Sequence, residues 1–381
     1  MASAVDPSVW RVFGTPLVAG GDGPLNGETV AVKDLYDVAG FAVGAGVPAF
    51  LGAPAASTAP AVQALLDAGA DVVGIAQTDE FAYSIAGRNA HYGTPPNPAV
   101  PGGVPGGSSS GPASAVALGQ ASIGLGTDTA GSIRVPASYQ GLWGLRTTHG
   151  SVSSDGIVPL APTFDAPGWL TRDAATLRAA AASTLVSRAS TGAFVVDPAL
   201  SAHTEPEVRT AFEAFVGSRF ERVALGDAQE FFETFRTVQQ SEAWRTHGAW
   251  IQAHPGSLGD DVAARFALAA AVTPAQEADA RANLARLRSK LDDLLGDRVL
   301  LVPSASSTAS SLTMDAVDVE RTRQGTLKLT AIAGLTGRPA LSAPLLGVPQ
   351  AGSPSLPVGL SLVGPHHSEL ALIALAQELA R

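Results

Sequence analysis

The chain has 381 residues, of which 46% are apolar and 15% are charged, and its formal net charge is −10. This composition supplies a large hydrophobic core and argues against intrinsic disorder. The acidic balance disfavours nucleic acid as a partner, because a phosphate backbone attracts basic surfaces. The absence of cysteine excludes disulfides, thiolate metal sites and a cysteine nucleophile.

The first residues lack the pattern of a signal peptide, since Asp6 lies among them and no long apolar run follows. No uncharged apolar stretch reaches the roughly 18 residues that a membrane-spanning helix needs. We therefore expect a cytoplasmic protein without a membrane partner, and a homodimer is the assembly to test. No spacing of histidine, aspartate and glutamate suggests a metal site.

The first half of the chain alternates between strand and helix patterns. Glu28–Gly40 is typical of a strand that runs into a loop, Ser57–Ala68 of a capped helix, and Asp71–Ala76 of a buried strand. After a loop rich in proline and glycine, the pattern predicts a short helix at Pro112–Leu118 and a strand at Ala121–Leu125. This alternation predicts an α/β sheet whose faces are covered by helices.

The middle of the chain is a succession of amphipathic helices that carry much of the charge. The predicted helices are Asp173–Val186, Glu205–Val216, Asp227–His247, Leu258–Ala270 and Thr273–Leu295. The last part returns to apolar strand patterns and closes with a helix. These elements are Val299–Ser304, Arg338–Pro344, Leu356–Pro365 and the helix Ser368–Ala380. We predict one domain over residues 1–381, with a core at 27–175, a helical insertion or cap at 176–296, and strands at 297–381 that rejoin the core.

Two loops place serines on backbone that glycine allows to turn tightly, GGSSSG at Gly106–Gly111 and GTDTAGSIRVPAS at Gly126–Ser138. Backbone N–H groups in such turns form a nest for an anion, and the start of a helix adds its positive dipole end. Ser132 follows small residues that let a substrate approach closely. A serine hydroxyl is a weak nucleophile, however, and it needs a base.

Lys33 is a candidate for that base. The chain contains 21 arginines but three lysines, and Lys33 is the only lysine in the first 289 residues. Burial on an apolar strand lowers the pKa of a lysine, whereas arginine does not deprotonate in proteins. Taken alone, each feature has an ordinary alternative: a solvated lysine, a plain serine-rich loop, and a structural ion pair between Asp128 and Arg134.

A rival motif is present in the first serine loop. Residues 107–111 fit the G-x-S-x-G elbow of α/β-hydrolases, with Ser109 as the nucleophile. That elbow directly follows a strand, whereas a proline-rich loop precedes it here, so the sequence disfavours this reading. The loop also lacks the Gly-Lys-Ser/Thr of a phosphate-binding P-loop.

Taken together, these segments resemble the amidase signature family. The resemblance rests on VAVKDLYDVAG around Lys33, on the two serine loops, on Gly141–Asp173 and on the late LPVGLSLVGP at Leu356–Pro365. The stretch DEFAYSIAGRNAHYGTP at Asp79–Pro95 looks closest to plant-type indole-3-acetamide amidohydrolases. The resemblance implies a single large α/β/α domain with a mixed central β-sheet covered by helices.

The resemblance also implies a Ser–cis-Ser–Lys triad in which Lys33 is the base, Ser108 the bridging serine and Ser132 the nucleophile. The implied oxyanion hole consists of the backbone N–H groups of Thr129, Ala130, Gly131 and Ser132. The implied supporting residues are Ser109, Asp128 and Arg134. Such a serine-dependent amidase forms a seryl acyl-enzyme and needs no cofactor. Alanine at 130, where the family commonly has glycine, is strained only if its φ is positive.

The implied function is hydrolysis of small, apolar or aromatic amides to a carboxylate and ammonia or an amine. The candidate pocket residues, which are alternatively ordinary core aromatics, are Phe81, Tyr83, Tyr139 and Trp143. One alternative is an amidotransferase subunit that releases ammonia from glutamine, for which Arg321, Arg323 and Asp318 are candidate head-group ligands. Carbamate or ester hydrolysis by the same triad is the other, whereas an inactive scaffold is disfavoured because the whole triad is present.

Overall fold

The structure, a computed structural model, describes residues 5–185 and 193–381. Eleven strands lie in these residues. They are β1 Trp10–Val18, β2 Thr29–Lys33, β3 Asp71–Ala76, β4 Ile123–Asp128, β5 Trp143–Arg146, β6 Ala166–Thr171, β7 Phe194–Val196, β8 Glu221–Arg222, β9 Val299–Pro303, β10 Ala340–Gln350 and β11 Ser353–Val363.

The same residues contain eleven α-helices. They are α1 Pro60–Asp67, α2 Ser110–Ala117, α3 Arg134–Gln140, α4 Ala174–Ala182, α5 Pro198–Ser201, α6 Pro206–Val216, α7 Ala228–Ala253, α8 Asp260–Ala270, α9 Pro274–Leu295, α10 Ala316–Thr336 and α11 Glu369–Leu379. None of the described helices combines the length and the apolarity that crossing a membrane requires.

The strands in the described residues form one mixed sheet in the order β1-β3-β2-β4-β6-β5-β10-β11-β9-β7-β8. β2 lies parallel to both of its neighbours, β3 and β4. β5 pairs antiparallel with β6 on one side and with β10 on the other, so the first half of the chain and its last part share the sheet. This arrangement confirms the predicted α/β fold with a mixed central sheet covered by helices.

Capping residues explain why several predicted helices are present nearly as expected. The Thr273 side chain accepts a hydrogen bond from the Gln276 N–H, and the Gln276 side chain accepts one from the Thr273 N–H. These two reciprocal bonds cap the start of α9. Asp173 caps α4 in the same way by accepting from the Thr176 N–H. The predicted end of α4, Val186, lies outside the described residues.

Eight observed elements have no counterpart among the predicted ones: β1, β5, β6, β7, β8, α3, α5 and α10. β1 and α10 show two of the reasons. β1 is an edge strand interrupted by Gly14 and by Pro16, which follows a cis peptide bond, so it lacks the alternation of a regular strand. α10 is buried over most of its C-terminal half, and Gly325 lies inside it. A helix that is buried on all sides shows no polar face to mark its period.

The parallel centre of the sheet positions the candidate site. Val30, Ala31 and Val32 of β2 have no solvent exposure, as is usual for strands covered on both faces. Because β2 and β4 run parallel, their carboxyl ends meet at one edge of the sheet. Lys33 at the end of β2 therefore lies beside Thr127 at the end of β4.

Candidate active site

Lys33 is the last residue of β2 and has no solvent exposure. Its Nζ donates to Ser108 Oγ and to Thr127 Oγ1, each at 2.8 Å. Burial lowers the pKa of Lys33 from 10.5 to about 7, although the negative charges of three aspartates oppose this shift. A neutral amine, which can accept a proton, is therefore accessible near neutral pH.

Ser108 lies in the tight turn that precedes α2, behind a cis peptide bond to Gly107. Its carbonyl oxygen accepts from Thr78 Oγ1 at 2.9 Å. A Cβ atom on Gly107 would lie 2.4 Å from a carboxylate oxygen of Asp79, so only glycine fits there. This close packing holds the Ser108 hydroxyl against Lys33.

Ser132 lies in the loop between β4 and α3 and is 2% exposed. Its carbonyl oxygen accepts from the Ser109 N–H at 3.2 Å, which ties the two serine loops together. Gly131 has a φ of +116°, and a Cβ atom there would approach the Thr330 methyl carbon to 3.0 Å. Thr330 Oγ1 also donates to the Ala130 carbonyl oxygen at 2.8 Å. Helix α10 therefore fixes the loop that carries Ser132.

The backbone N–H groups of this loop differ in their partners. The Gly131 N–H donates to Asp128 Oδ1 at 2.9 Å. The N–H groups of Thr129, Ala130 and Ser132 have no hydrogen-bond partner among the described residues. Ala130 does not have a positive φ, so alanine at this position brings no backbone strain. The loop thus keeps donors for an anion at Thr129, Ala130 and Ser132, whereas the Gly131 donor is already engaged.

Asp128, at the end of β4, holds the loop electrostatically. Its carboxylate accepts from Nε and Nη2 of Arg134 at 2.9 and 2.8 Å, and Arg146 Nη1 lies 3.3 Å away. Burial alone would raise the pKa of Asp128, but the charges and hydrogen bonds of these arginines hold it well below its usual range. Arg134 Nη1 donates to the Thr330 carbonyl oxygen at 3.0 Å, which is a second link between the loop and α10.

Two further buried carboxylates surround the lysine without an arginine of their own. Asp79 accepts from the Gly87 N–H at 3.0 Å and from Ser110 Oγ at 3.2 Å. Asp165 accepts from Thr129 Oγ1 at 2.6 Å and from two backbone N–H groups. Burial raises the pKa of both carboxyls. Ser109 is one of the expected supporting residues, and its Oγ donates to the Thr127 carbonyl oxygen at 3.3 Å.

A small cavity of about 10 Å³, which we call the inner cavity, opens beside Ser132. Its lining residues are Ala82, Tyr83, Ser84, Ile85, Thr129, Ala130, Ser132, Leu160, Gln239, Arg323 and Leu327. Ile85 and Arg323 also line a larger cavity of about 660 Å³, the outer cavity. The inner cavity has room for a group about the size of one water molecule, so a substrate extends beyond it.

The structure separates the four aromatic residues expected in the pocket. Tyr83 lines the inner cavity and Tyr139 the outer one. Phe81 instead stacks on His247, with ring centroids 4.3 Å apart, and lines neither cavity. Trp143 lies half-buried on β5, packed against the core and outside both cavities.

Several residues of the site carry no signal in the sequence. Asp79 and Thr127 lie within segments that carry the resemblance, but no spacing connects them to Lys33. Gln239 lies on α7, where the amphipathic pattern assigns a polar residue to solvent, yet it is 5% exposed and lines the inner cavity. Only the packing of α7 against its neighbouring helices, α10 among them, brings it there.

Comparison with known proteins supports what this geometry indicates. The sequence model of the Amidase family matches residues 18–210. Amidase 1 of Oryza sativa subsp. japonica is 36% identical, over 93% of this chain and 90% of its own length. The 2-amino-5-chloromuconic acid deaminase of Comamonas testosteroni is 35% identical, over 93% of this chain and 81% of its own. A crystal structure of an amidase superposes with a TM-score of 0.83 at 31% identity, covering 93% of this chain and 85% of that one.

The chain therefore belongs to the amidase family, whose members have this α/β fold. It is an amidohydrolase, a hydrolase that acts on amide C–N bonds.

Proposed function

We propose that the chain hydrolyses amides through a serine nucleophile, Ser132, that is activated by Ser108 and Lys33. The observation that carries the proposal is the contact of 2.8 Å between the buried Lys33 Nζ and Ser108 Oγ. The pKa of Lys33 near 7 supports a role as proton acceptor, since general bases work best when their pKa lies near the working pH.

In the proposed reaction, neutral Lys33 accepts a proton from Ser108 Oγ, and Ser108 accepts one from Ser132 Oγ. Ser132 Oγ then bonds to the carbonyl carbon of the amide, and the negative charge moves to the carbonyl oxygen. The N–H groups of Thr129, Ala130 and Ser132 are the donors available to stabilise this oxyanion, a contribution of about 3–4 kcal/mol per donor in other enzymes. The proton returns through Ser108 to the leaving nitrogen, the C–N bond breaks, and water hydrolyses the acyl-enzyme.

The proposed oxyanion hole contains fewer N–H donors than the resemblance implies. Thr129, Ala130, Gly131 and Ser132 are all neighbours in the loop, but the Gly131 N–H is held by Asp128. We assign Gly131, Asp128 and Arg134 to shaping the loop. Ser109 has the same supporting role through its contacts to Thr127 and Ser132.

The amidotransferase alternative is less well supported. Arg321 and Asp318 form an ion pair with each other on the exposed part of α10. Neither residue lines the inner or the outer cavity. Of the three candidate head-group ligands, Arg323 alone lines the inner cavity. No carboxylate lines that cavity in the described part of the chain, but Glu80, Asp260, Asp261 and Glu320 line the outer cavity, so glutamine belongs in the substrate panel.

The test is ammonia release from a panel of small amides, including indole-3-acetamide, benzamide, an aliphatic amide and glutamine, with a carbamate and an ester measured by product analysis. We expect Ser132→Ala to lower turnover by about 10³-fold or more. Ser289→Ala, an exposed serine on α9, is the matched control and keeps wild-type activity. Unchanged turnover in Ser132→Ala would exclude the proposed nucleophile.

Three expectations about the whole protein stay proposals. The first is a single amidase domain in which residues 176–296 form a cap on the core. The second and third are a cytoplasmic location and a homodimer, with a small amide as the ligand. Cell fractionation and light scattering of the purified protein test the last two.

A further inference from the structure

The wall of the inner cavity contains a buried amide that no step of the proposed reaction uses. Gln239 from α7 is 5% exposed, and neither the oxygen nor the nitrogen of its side-chain amide has a hydrogen-bond partner among the described residues. A buried polar group without a hydrogen bond destabilises the folded state, so this amide has a cost. Because Gln239 lines the same small cavity as Ser132, we look for its role in the reaction.

Contacts further along α7 fix the place of Gln239 without using its amide. The carboxylate of Glu242 accepts from the Thr163 N–H at 3.0 Å and from Thr163 Oγ1 at 2.6 Å. His247 Nε2 lies 2.8 Å from the Pro159 carbonyl oxygen. The loop between these two contacts also contributes to the wall of the inner cavity. The helix and the loop therefore hold each other, and the Gln239 amide stays free for a ligand.

The size of the inner cavity matches a single water molecule. Its volume is about 10 Å³, close to the smallest space that holds a water, and such a water needs two to four polar partners. Hydrolysis of the acyl-enzyme reverses its formation with water in place of the amine. The attacking water therefore occupies the place that the leaving nitrogen vacates beside Ser132. A carboxamide nitrogen and a water oxygen are similar in size, so the same cavity can hold each in turn.

An attacking water needs a hydrogen-bond acceptor that fixes its orientation. One of its O–H groups gives up a proton, and the other must be held so that a lone pair faces the acyl carbon. Arg323 in the same wall has donors and no acceptor, and Thr129 Oγ1 already donates to Asp165 at 2.6 Å. Among the side chains that line the inner cavity in the described chain, Gln239 carries the one carbonyl oxygen, Oε1.

We propose that Gln239 positions the water that hydrolyses the acyl-enzyme. The water oxygen bonds to the acyl carbon, one water proton passes to Ser108 as the Ser108 proton passes to Lys33, and the other O–H donates to Gln239 Oε1. The bond from the carbon to Ser132 Oγ then breaks, Ser132 regains its proton through Ser108, and the carboxylic acid leaves. This inference rests on the proposed function of Ser132 and gives Gln239 a role in the second half of that reaction.

The test measures formation and hydrolysis of the acyl-enzyme separately. The protein is mixed with the methyl esters of indole-3-acetic, benzoic and propionic acid, the reaction is quenched at intervals, and intact-protein mass spectrometry follows the acyl group on Ser132. We expect Gln239→Met to slow the loss of the acyl group by about tenfold or more, the effect of one hydrogen bond. Its formation should be unchanged, because a methoxy leaving group has no hydrogen to donate to Gln239. Gln240→Met is the matched control, since Gln240 lines a different cavity between α7, α8 and α9, and it should leave both rates unchanged.

Stability distinguishes this role from a structural one. Because the Gln239 amide makes no hydrogen bond within the described chain, Gln239→Met should unfold at the same denaturant concentration as the wild type or at a higher one. A residue that merely supports the fold would instead lower this midpoint when it is replaced.

Slower loss of the acyl group in Gln239→Met, with unchanged formation and undiminished stability, supports the inference. An unchanged rate of loss, equal slowing of both steps, or a lower denaturation midpoint overturns it. An acyl group that never forms on Ser132 in the wild type, or that still forms in Ser132→Ala, contradicts the proposed nucleophile instead, so the two failures are distinct.

Discussion

The burial of Lys33 determines its proposed role as a base, because burial lowers its pKa. Burying a lysine without solvent exposure is costly, and its hydrogen bonds to Ser108 and Thr127 engage two of its N–H donors without an ion pair. Asp79, Asp128 and Asp165 lie near enough to raise its pKa, yet desolvation dominates and brings the pKa to about 7. This balance supplies a base that arginine could not replace.

The first prediction at this scale is a pH dependence. The proposed reaction needs neutral Lys33, so kcat/KM rises as the pH increases through about 7 and falls as Lys33 gains a proton below it. The measurement is a pH–rate profile between about pH 5.5 and 8.5. Lys290→Met, an exposed lysine, keeps the profile, whereas Lys33→Met loses activity throughout. A flat wild-type profile would count against Lys33 as the base.

A second prediction concerns the buried ion pair behind the nucleophile. Asp128→Asn removes the charge that Arg134 and Arg146 share, so two buried guanidinium groups lose their counter-ion. We expect a loss of about 3–5 kcal/mol in the free energy of unfolding, measured by denaturant titration. Asp318→Asn, in an exposed pair with Arg321, should leave stability near that of the wild type. Equal effects of the two substitutions would show that burial of the pair does not matter.

At the scale of elements, the helical middle of the chain builds one wall of the site. Phe81 is 1% exposed and lies within 5.3 Å, between ring centroids, of Phe50, His247 and Trp250. The rings from α7 thus hold a backbone turn in which Phe81 and Ala82 both have positive φ. The next residues along the chain line the inner cavity, so packing on α7 shapes the pocket.

This arrangement predicts that Phe81→Ala affects stability and activity together. Truncating a buried aromatic side chain costs about 3–5 kcal/mol, which denaturant titration measures. Because the turn positions Tyr83 and Ile85, we expect kcat/KM to fall as well, with the protein still folded at low temperature. Leu268→Ala, an exposed position on α8, is the control and should change neither quantity. Loss of stability without loss of kcat/KM would show that the turn at Phe81 does not position the pocket residues.

The elements also show what the sequence could predict. Thr273, Gln276 and Gly296 mark the ends of α9, and local capping needs no knowledge of the fold. The strand ending at Lys33 and the glycine-rich turns around Ser108 and Ser132 are equally local. The sequence pattern does not predict α10, because its second half is buried on nearly all sides and presents no polar face.

At the scale of the whole molecule, the site depends on contacts between distant parts of the chain. Lys33 meets Ser108 across 75 residues and Thr127 across 94, because β2 and β4 are neighbours in the sheet. Thr330 reaches the Ala130 carbonyl oxygen across 200 residues. The positions of Gln239, Arg323 and Thr330 follow from the packing of α7 and α10, which no pattern within those helices specifies.

The central claim is that Ser132 is a nucleophile activated through Lys33 and Ser108. Its most direct test is labelling with a serine-reactive fluorophosphonate, followed by peptide mass spectrometry to locate the modified residue. We predict modification of Ser132 in the wild type and its loss in Lys33→Met, with Lys290→Met labelled as the wild type is. Modification of Ser109, or labelling of Ser132 that is unchanged in Lys33→Met, would contradict the account.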